Sequence, residues 1–418
     1  MQTHLKGRII EIWTHENQVK MELLVGMNRH ILTTMDCQLI NQFHRGDLAI
    51  ATVSATTNSQ EQLILSMDRV GGPGASSWNA LSDVMRWRRT LDGPSRMFRL
   101  HQRQSILTAI RLDLQSQGFL EVETPLLVRG TCPDTYIESV QTGEGYLVTS
   151  TEYQIKRLMV GGFDEVFTLT KNFREGDRGR YHSSEFTMLE WARAFGSMEE
   201  IEEDAIRLSQ KAFQALYPGK DSLTYQGSEV NFMTKPWERL TVREAFQIYL
   251  GLENLHDFSL ESLYEASIKA KIHLPSEFQQ DQHLLLSYLL DLVQPHLGRS
   301  TPTFLREWPA FMTSSAKLSQ KDPFVAERSE LYITGIEIAD GFPFLTDPKL
   351  QNDLFSRELR RREQEKRKQV VVDEKYVEAL AQGIPPGAGM ALGIDRLVMA
   401  LTGANQLSDI QAFAWDEI

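Results

Sequence analysis

The sequence predicts an α+β chain in which a small β-barrel precedes a larger antiparallel sheet flanked by helices. Residues 1–70 break into five short apolar segments separated by polar turns, and a glycine-rich break, GGPGASS, follows at 71–77. Beyond it, helix-like periodicity alternates with strand-like runs, two of which read as a long hairpin.

The five segments are LKGRIIEIW, VKMELLVG, RHILTTM, DLAIATVSATT and QLILSMDRV, with HENQ, GMN, HRGD and NSQEQ between them. Short strands at regular spacing favour an OB-like barrel for residues 1–70. Adjacent glycines, a proline and small residues make residues 71–94 a linker, leaving 95–418 as a second domain.

That domain opens with RLHQRQSILTAIRLDLQSQG, an amphipathic helix with Gly118 as its C-cap, then FLEVETPLL, a strand ended by Pro125. FDEVFTLTKNFRE and FTMLEWARAF flank the polar loop GDRGRYHSS as a long antiparallel hairpin. KPWERLTVREAFQIYL opens a helix with Thr241 and Glu244 at capping-box spacing, and residues 252–300 form a helical insertion. PTFLREWP and SELYITGIEIADGF read as one strand each. Residues 348–368 read as a charged helix whose arginines, Arg360, Arg361 and Arg362 among them, form a solvated face.

At 418 residues the chain suits about two or three cooperating units. With 41% hydrophobic and 24% charged residues it falls in the globular class, excluding a largely disordered or collagen-like chain. No apolar run is long enough for a membrane helix, and the opening residues turn charged too early for a signal peptide, so a cytoplasmic protein with no membrane partner is expected. Cys37 and Cys132 stand far apart with no CxxC spacing and are expected as buried free thiols. A net charge of −12 argues against a protein that mainly coats nucleic acid, without excluding a local RNA contact.

Three segments carry the chemistry. In FREGDRGRYHSSEFTMLEW, Arg174, Arg180, His182 and Phe186 cluster at the hairpin turn, where a guanidinium can grip phosphate and a ring can stack on a purine. In ELYITGIEIADGF, Glu330 and Glu337 lie seven residues apart on one predicted strand, an odd separation that needs a bulge or twist if both are to reach one site. Carboxylates converging on a triphosphate usually act through Mg²⁺. In GAGMALGIDRLVMAL, small residues lead into a helix with Asp395 and Arg396 in its first turn; an arginine in so apolar a setting needs an anion, and phosphate is the obvious one.

Together these segments resemble the catalytic core of class II aminoacyl-tRNA synthetases, in particular the lysyl subgroup, over about residues 95 to 418. VETP, FRE through LEW, and GMALGIDRLVMAL resemble the three signature motifs in order. TSTEYQIKRLMVGG, RYHSSEFTMLEW, the stretch after LTDP, and Ala391 in GMALG most resemble the paralogous family of elongation factor P lysine ligases, which attach β-lysine to a protein lysine. The resemblance implies a class II synthetase-like antiparallel sheet and a homodimer. It implies ATP and Mg²⁺, an amino-acid substrate, and a protein acceptor such as elongation factor P. Arg174 would hold the α-phosphate and Arg396 the γ-phosphate, with Phe186 on adenine, His182 near the phosphates, and Glu330 and Glu337 on Mg²⁺. Glu152 would face the α-amino group, and Glu190, Ala192, Asp340, Phe344 and Ala391 would line the amino-acid pocket.

The family's second motif usually reads FRNE; here Gly176 stands where that glutamate falls, with Glu175 and Asp177 as its neighbours and Glu175 as a candidate ATP contact. The family's NGFxEL and a tyrosine near the second motif are replaced at Asp340, Phe344 and Ala192, removing two expected contacts to a side-chain ammonium and adding a carboxylate. The leading expectation is therefore an ATP-dependent, aminoacyl-adenylate-forming ligase acting on a protein lysine. Its alternatives are a lysyl-type tRNA ligase of altered specificity and a catalytically silent regulatory paralogue. The barrel offers little for RNA: six basic residues against seven acidic, with Trp13 and Phe43 as candidate stacking aromatics.

Overall fold

The computed structural model describes residues 2–15, 18–26, 28–54, 61–72, 94–253 and 255–418, without the side chain of residue 37. Most of the expected linker, residues 73–93, and the thiol of Cys37 lie outside the described residues. The chain divides into two compact units, Met1–His101 and Gln102–Ile418.

In the first unit β1 (Gln2–His15), β2 (Gln18–Val25), β3 (Asn28–Thr34), a short helix α1 (Cys37–Ile40), β4 (Leu48–Ser54) and β5 (Glu61–Gly71) follow one another. The strands close into a barrel in the order β1-β2-β3-β5-β4. Alternation along each strand turns Ile9, Met21, Leu23, Leu32, Ala51 and Val53 inward to a dry core. Phe43, expected as a stacking platform, is buried in that core instead.

Helix α2 (Arg96–Ser116) buries Ile106, Ile110 and Leu114, the 3.6-residue stripe expected of an amphipathic helix. Then come β6 (Leu120–Glu121), β7 (Leu127–Val128), β8 (Tyr146–Leu147), α3 (Glu152–Val160), β9 (Glu165–Phe173), β10 (Glu185–Ala194) and α4 (Met198–Leu216). A small hairpin, β11 (Ser222–Tyr225) with β12 (Ser228–Asn231), leads to β13 (Glu238–Thr241), α5 (Val242–Leu250), α6 (Leu260–Lys269) and α7 (Gln282–Val293). The chain closes with β14 (Thr303–Pro309), β15 (Val325–Ile333), β16 (Ile336–Pro343), α8 (Pro348–Gln364), α9 (Glu374–Gly383), β17 (Gly387–Gly393) and α10 (Ile394–Thr402). Among the described residues, eight strands form one sheet in the order β13-β14-β15-β16-β17-β10-β9-β6. Its two edge pairs, β13–β14 and β6–β9, are parallel and the inner pairs antiparallel.

The β9–β10 hairpin and the Thr241–Glu244 capping box are present as expected; Glu244 N donates to Thr241 Oγ1 at 3.1 Å and Thr241 N to Glu244 Oε2 at 2.7 Å. Three expectations are corrected. The residues just before the Thr241 cap, 238–241, for which the sequence reading gave no strand, form β13, because their backbone pairs with β14. SELYITGIEIADGF is two strands, β15 and β16, joined at Thr334 and Gly335, whose φ angles of 50° and 77° make the tight turn that matches strand twist. Arg362 on α8 is fully buried: it donates to the carbonyls of Asp134, Ile137 and Lys368 at 2.7, 3.1 and 2.8 Å and to Glu138 Oε2 at 2.6 Å. One face of this charged helix is thus a clamp on the 134–138 segment.

Candidate active site

Register builds the site. Glu190 on β10 pairs with Ala391 on β17, Ala391 with Asp340 on β16, and Asp340 with Glu330 on β15, so the four form one cross-strand row. One rung away, Ala192 and Phe342 flank Gly389. Beyond Ala339–Leu331 the pairing skips to Glu337–Tyr332, a bulge at Ile338 that lets Glu337 line the same cavity as Asp340 despite their odd separation.

That cavity, about 480 Å³, is lined by Glu152, Arg174, His182, Phe186, Glu190, Ala192, Glu330, Glu337, Asp340, Phe344, Ala391 and Arg396. Of the residues singled out in the sequence, Arg180 and Glu175 are absent from this lining: Arg180 Nε donates to the Asn405 carbonyl at 2.6 Å, and the Glu175 carboxylate takes the Lys368 ammonium at 2.6 and 2.7 Å. Gly176 beside it has φ 82°, a left-handed conformation that suits glycine and strains the glutamate usual in the resembled motif.

Arg174 leaves the end of β9 with its guanidinium 5.2 Å from the Phe186 ring centroid, and its Nε is buried without a hydrogen-bond partner. A buried donor of this kind is costly unless something in the cavity accepts from it. Arg396, in the first turn of α10, donates to the Glu337 carbonyl and carboxylate at 3.0 and 3.1 Å and to His182 Nε2 at 2.9 Å. Burial, and then the Arg396 charge, hold the His182 pKa below its ordinary value, so the neutral ring accepts that bond. Asp395 is turned away from Arg396: it takes Arg103 at 2.5 Å and the Thr187 amide at 2.9 Å, tying α10 to α2 and β10.

Arg328, which sequence reasoning missed, organises the carboxylates. It donates to Asp340 at 2.8 and 3.1 Å and to Glu330 at 2.7 Å, and Glu330 also accepts from the Tyr332 hydroxyl at 2.5 Å. Burial raises the Glu330 and Asp340 pKa values despite Arg328. For Glu337 burial is outweighed by Arg396 and Arg328, and its pKa is lowered. Glu190 accepts from the Ser150 hydroxyl and the Thr151 amide, both at 2.9 Å, and burial pushes it up to about 7.

Lys156 on α3 was also missed. Its Nζ is 2.6 Å from Glu152 Oε1 and 3.5 Å from the Tyr376 hydroxyl, beside the Phe342 and Phe344 rings. Glu152 and Lys156 stand four apart, a helical ion-pair spacing legible in the sequence; the contact with Tyr376, 220 residues away, is not. Cys132 is a free thiol lining the cavity, and burial raises its pKa to about 12, keeping it protonated and unreactive. The carboxylates of Glu330 and Glu337 are hard oxygen donors facing one cavity with two arginines, a donor set that fits Mg²⁺ completed by phosphate oxygens and water.

A family model described as tRNA synthetases class II (D, K and N) matches residues 85–417. Curated relatives named elongation factor P–(R)-β-lysine ligase from Salmonella paratyphi A, Salmonella arizonae and Salmonella dublin are each 35% identical over 347 residues, 80% of this chain and 99% of theirs. With motifs, sheet and sequence match in agreement, the chain belongs to the class II tRNA synthetases of the D, K and N group.

Proposed function

We propose that this chain is an ATP-dependent ligase that forms an aminoacyl-adenylate and transfers the aminoacyl group to a lysine of elongation factor P or a similar protein. The observation that carries the reading is the Arg174 guanidinium, with a buried, unsatisfied Nε beside Phe186, in the same cavity as Arg396 and the carboxylate row. The names of the relatives, matched over nearly their whole length, support the acceptor.

The amino acid's carboxylate is already ionised, so activation needs no general base. Its oxygen bonds to the α-phosphorus while the bond to pyrophosphate breaks. Arg174 offsets the charge growing there and Arg396 binds the departing phosphates. Phe186 stacks on adenine beside Arg174. Glu330 and Glu337 would hold Mg²⁺, which would spread the phosphate charge. In transfer, a deprotonated lysine amine attacks the acyl carbon, AMP leaves with the bonding pair, and the attacking nitrogen releases its proton. We further propose a cytoplasmic homodimer.

A second reading, tRNA as acceptor, is favoured by the closed N-terminal barrel, the fold of many single-strand binders. Isotope exchange between ATP and pyrophosphate, followed by transfer of labelled amino acid to purified elongation factor P or to tRNA, separates the readings. Labelled elongation factor P is the expected product; labelled tRNA alone transfers the assignment to the second reading, and no exchange with any amino acid leaves the silent paralogue.

A further inference from the structure

Residues 357–368, at the end of α8 and just beyond it, hold seven basic residues against three acidic in a chain whose net charge is −12. The helix dipole accounts for Arg361 and Arg362 in the last turn, and both are engaged within the fold. Arg362 anchors the 134–138 segment, while Arg361 donates to the Tyr136 hydroxyl and to Glu365. Neither account reaches Arg360 and Lys366, which are exposed and form no ion pair among the described residues.

Lys366 also sits where the backbone disfavours it. Its φ is 56°, and the amides of Lys366 and Arg367 donate to the carbonyls of Glu363 and Arg362 at 3.1 and 2.8 Å, a left-handed helix end that glycine fills without strain. A lysine that weakens its own helix end points to a use outside the fold.

The patch adjoins the cavity. Tyr136 is 45% exposed and lines it, and the guanidiniums of Arg361 and Arg367 lie 5.0 and 5.1 Å from the centroid of its ring. Lys368 ties the same stretch to Glu175, the residue after Arg174. Held by the buried Arg362, the basic surface is fixed beside the opening that an acceptor lysine has to enter. An acidic acceptor is repelled by the chain as a whole and attracted here, so this contact selects which face of the acceptor, and which lysine, meets the cavity. Nucleic acid fits less well, because Glu363 and Glu365 interleave with the cations and would oppose a continuous phosphate backbone.

We propose that the end of α8, through Arg360 and Lys366, is the docking surface for an acidic face of the protein acceptor beside its target lysine. The inference rests on the ligase reading above.

Transfer of labelled amino acid is followed at varied concentrations of purified elongation factor P and of tRNA, alongside exchange between ATP and pyrophosphate. Arg360→Glu with Lys366→Glu is expected to raise the KM for elongation factor P by about tenfold to a hundredfold and to leave exchange unchanged. Lys211→Glu with Lys269→Glu, the same change of charge on α4 and α6, should leave that KM within about twofold. Added salt should raise the wild-type KM and barely move that of the α8 variant. Lys366→Gly separates docking from folding: relief of the left-handed position keeps or raises the denaturation midpoint, while the KM still increases severalfold. An unaltered KM in the α8 variant, or an equal rise in the α4 and α6 control, overturns the inference while upholding the ligase reading. Transfer to tRNA with a KM raised in the α8 variant gives the patch to nucleic acid and overturns it too. Wild-type exchange without transfer to elongation factor P removes the protein acceptor, and absence of exchange removes the functional reading; the inference falls with either.

Discussion

Arg396 donates from the first turn of α10 to the Glu337 carboxylate on β16 at 3.1 Å, joining the helix that follows the last strand to the hairpin that carries Glu330. The arginine is therefore preorganised, held where an incoming phosphate would meet it without first ordering a flexible side chain. Preorganised charge of this kind typically contributes about 10²-fold to 10³-fold in rate. Arg174→Ala and Arg396→Ala are each expected to lose at least that much exchange activity while retaining cooperative thermal unfolding. Near-normal exchange in either variant would remove the phosphate assignment.

Glu190 predicts two pH effects of opposite sense. Its carboxyl ionises at about 7 in the fold against an ordinary 4.5, so between those values the folded chain binds a proton the unfolded chain does not. The stability contributed is full below about 4.5 and lost as pH rises through about 7. Denaturant titrations of the ligand-free protein should show this slope, and Glu190→Gln should flatten it. An ammonium of the bound amino acid prefers the carboxylate form, so KM for the amino acid should fall as pH rises through about 7. A KM independent of pH from 6 to 8 would dissociate Glu190 from substrate binding.

Introducing the family's polar pair, Phe344→Glu with Ala192→Tyr, is expected to move preference toward lysine, since sites built around a substrate's polar group discriminate by up to about 10⁴ to 10⁵. Asp340→Asn should leave the ranking of amino acids unchanged, because that carboxylate is already held by Arg328 at 2.8 Å. Competitive exchange with lysine, β-lysine and neutral amino acids measures both. A ranking inverted by Asp340→Asn would show that Asp340 governs the choice despite its bonds to Arg328.

Arg362→Ala is expected to cost about 3 to 5 kcal/mol, the range for breaking a buried charge contact, because it strands three carbonyls and leaves Glu138 only the longer Arg367 contact at 3.4 Å. Chemical denaturation would register it as a lower midpoint. A change below about 1 kcal/mol, the ordinary worth of a surface ion pair, would mean the clamp is dispensable.

Light scattering should give a mass near twice 47.8 kDa. The segment resembling the family's first motif carries Leu112, Leu120 and Leu127 at 62, 50 and 45% exposure, apolar surface that a two-fold partner would cover. A strictly monomeric active enzyme would refute the dimer.

What the sequence determined by itself was local. Alternation with period two marked the barrel strands and the β9–β10 hairpin, while the spacing of Thr241 and Glu244 marked a helix start. Arg396 stood out because a guanidinium amid apolar and small residues demands an anion, and Arg174 because it clusters with His182 and Phe186 at a hairpin turn. Such signals lie within a few residues and survive whatever the rest of the chain does. Tertiary structure decided what depends on register and distant packing. It divided SELYITGIEIADGF into a hairpin and turned Glu337 to the cavity through a bulge. It gave Asp340 to Arg328, set Lys156 against Tyr376 and Phe344, and buried Arg362 in the 134–138 segment. None of these pairings has a sequence period. A charged side chain reads as solvated until the fold removes its water, and only then does the need for a partner choose which distant residue answers it.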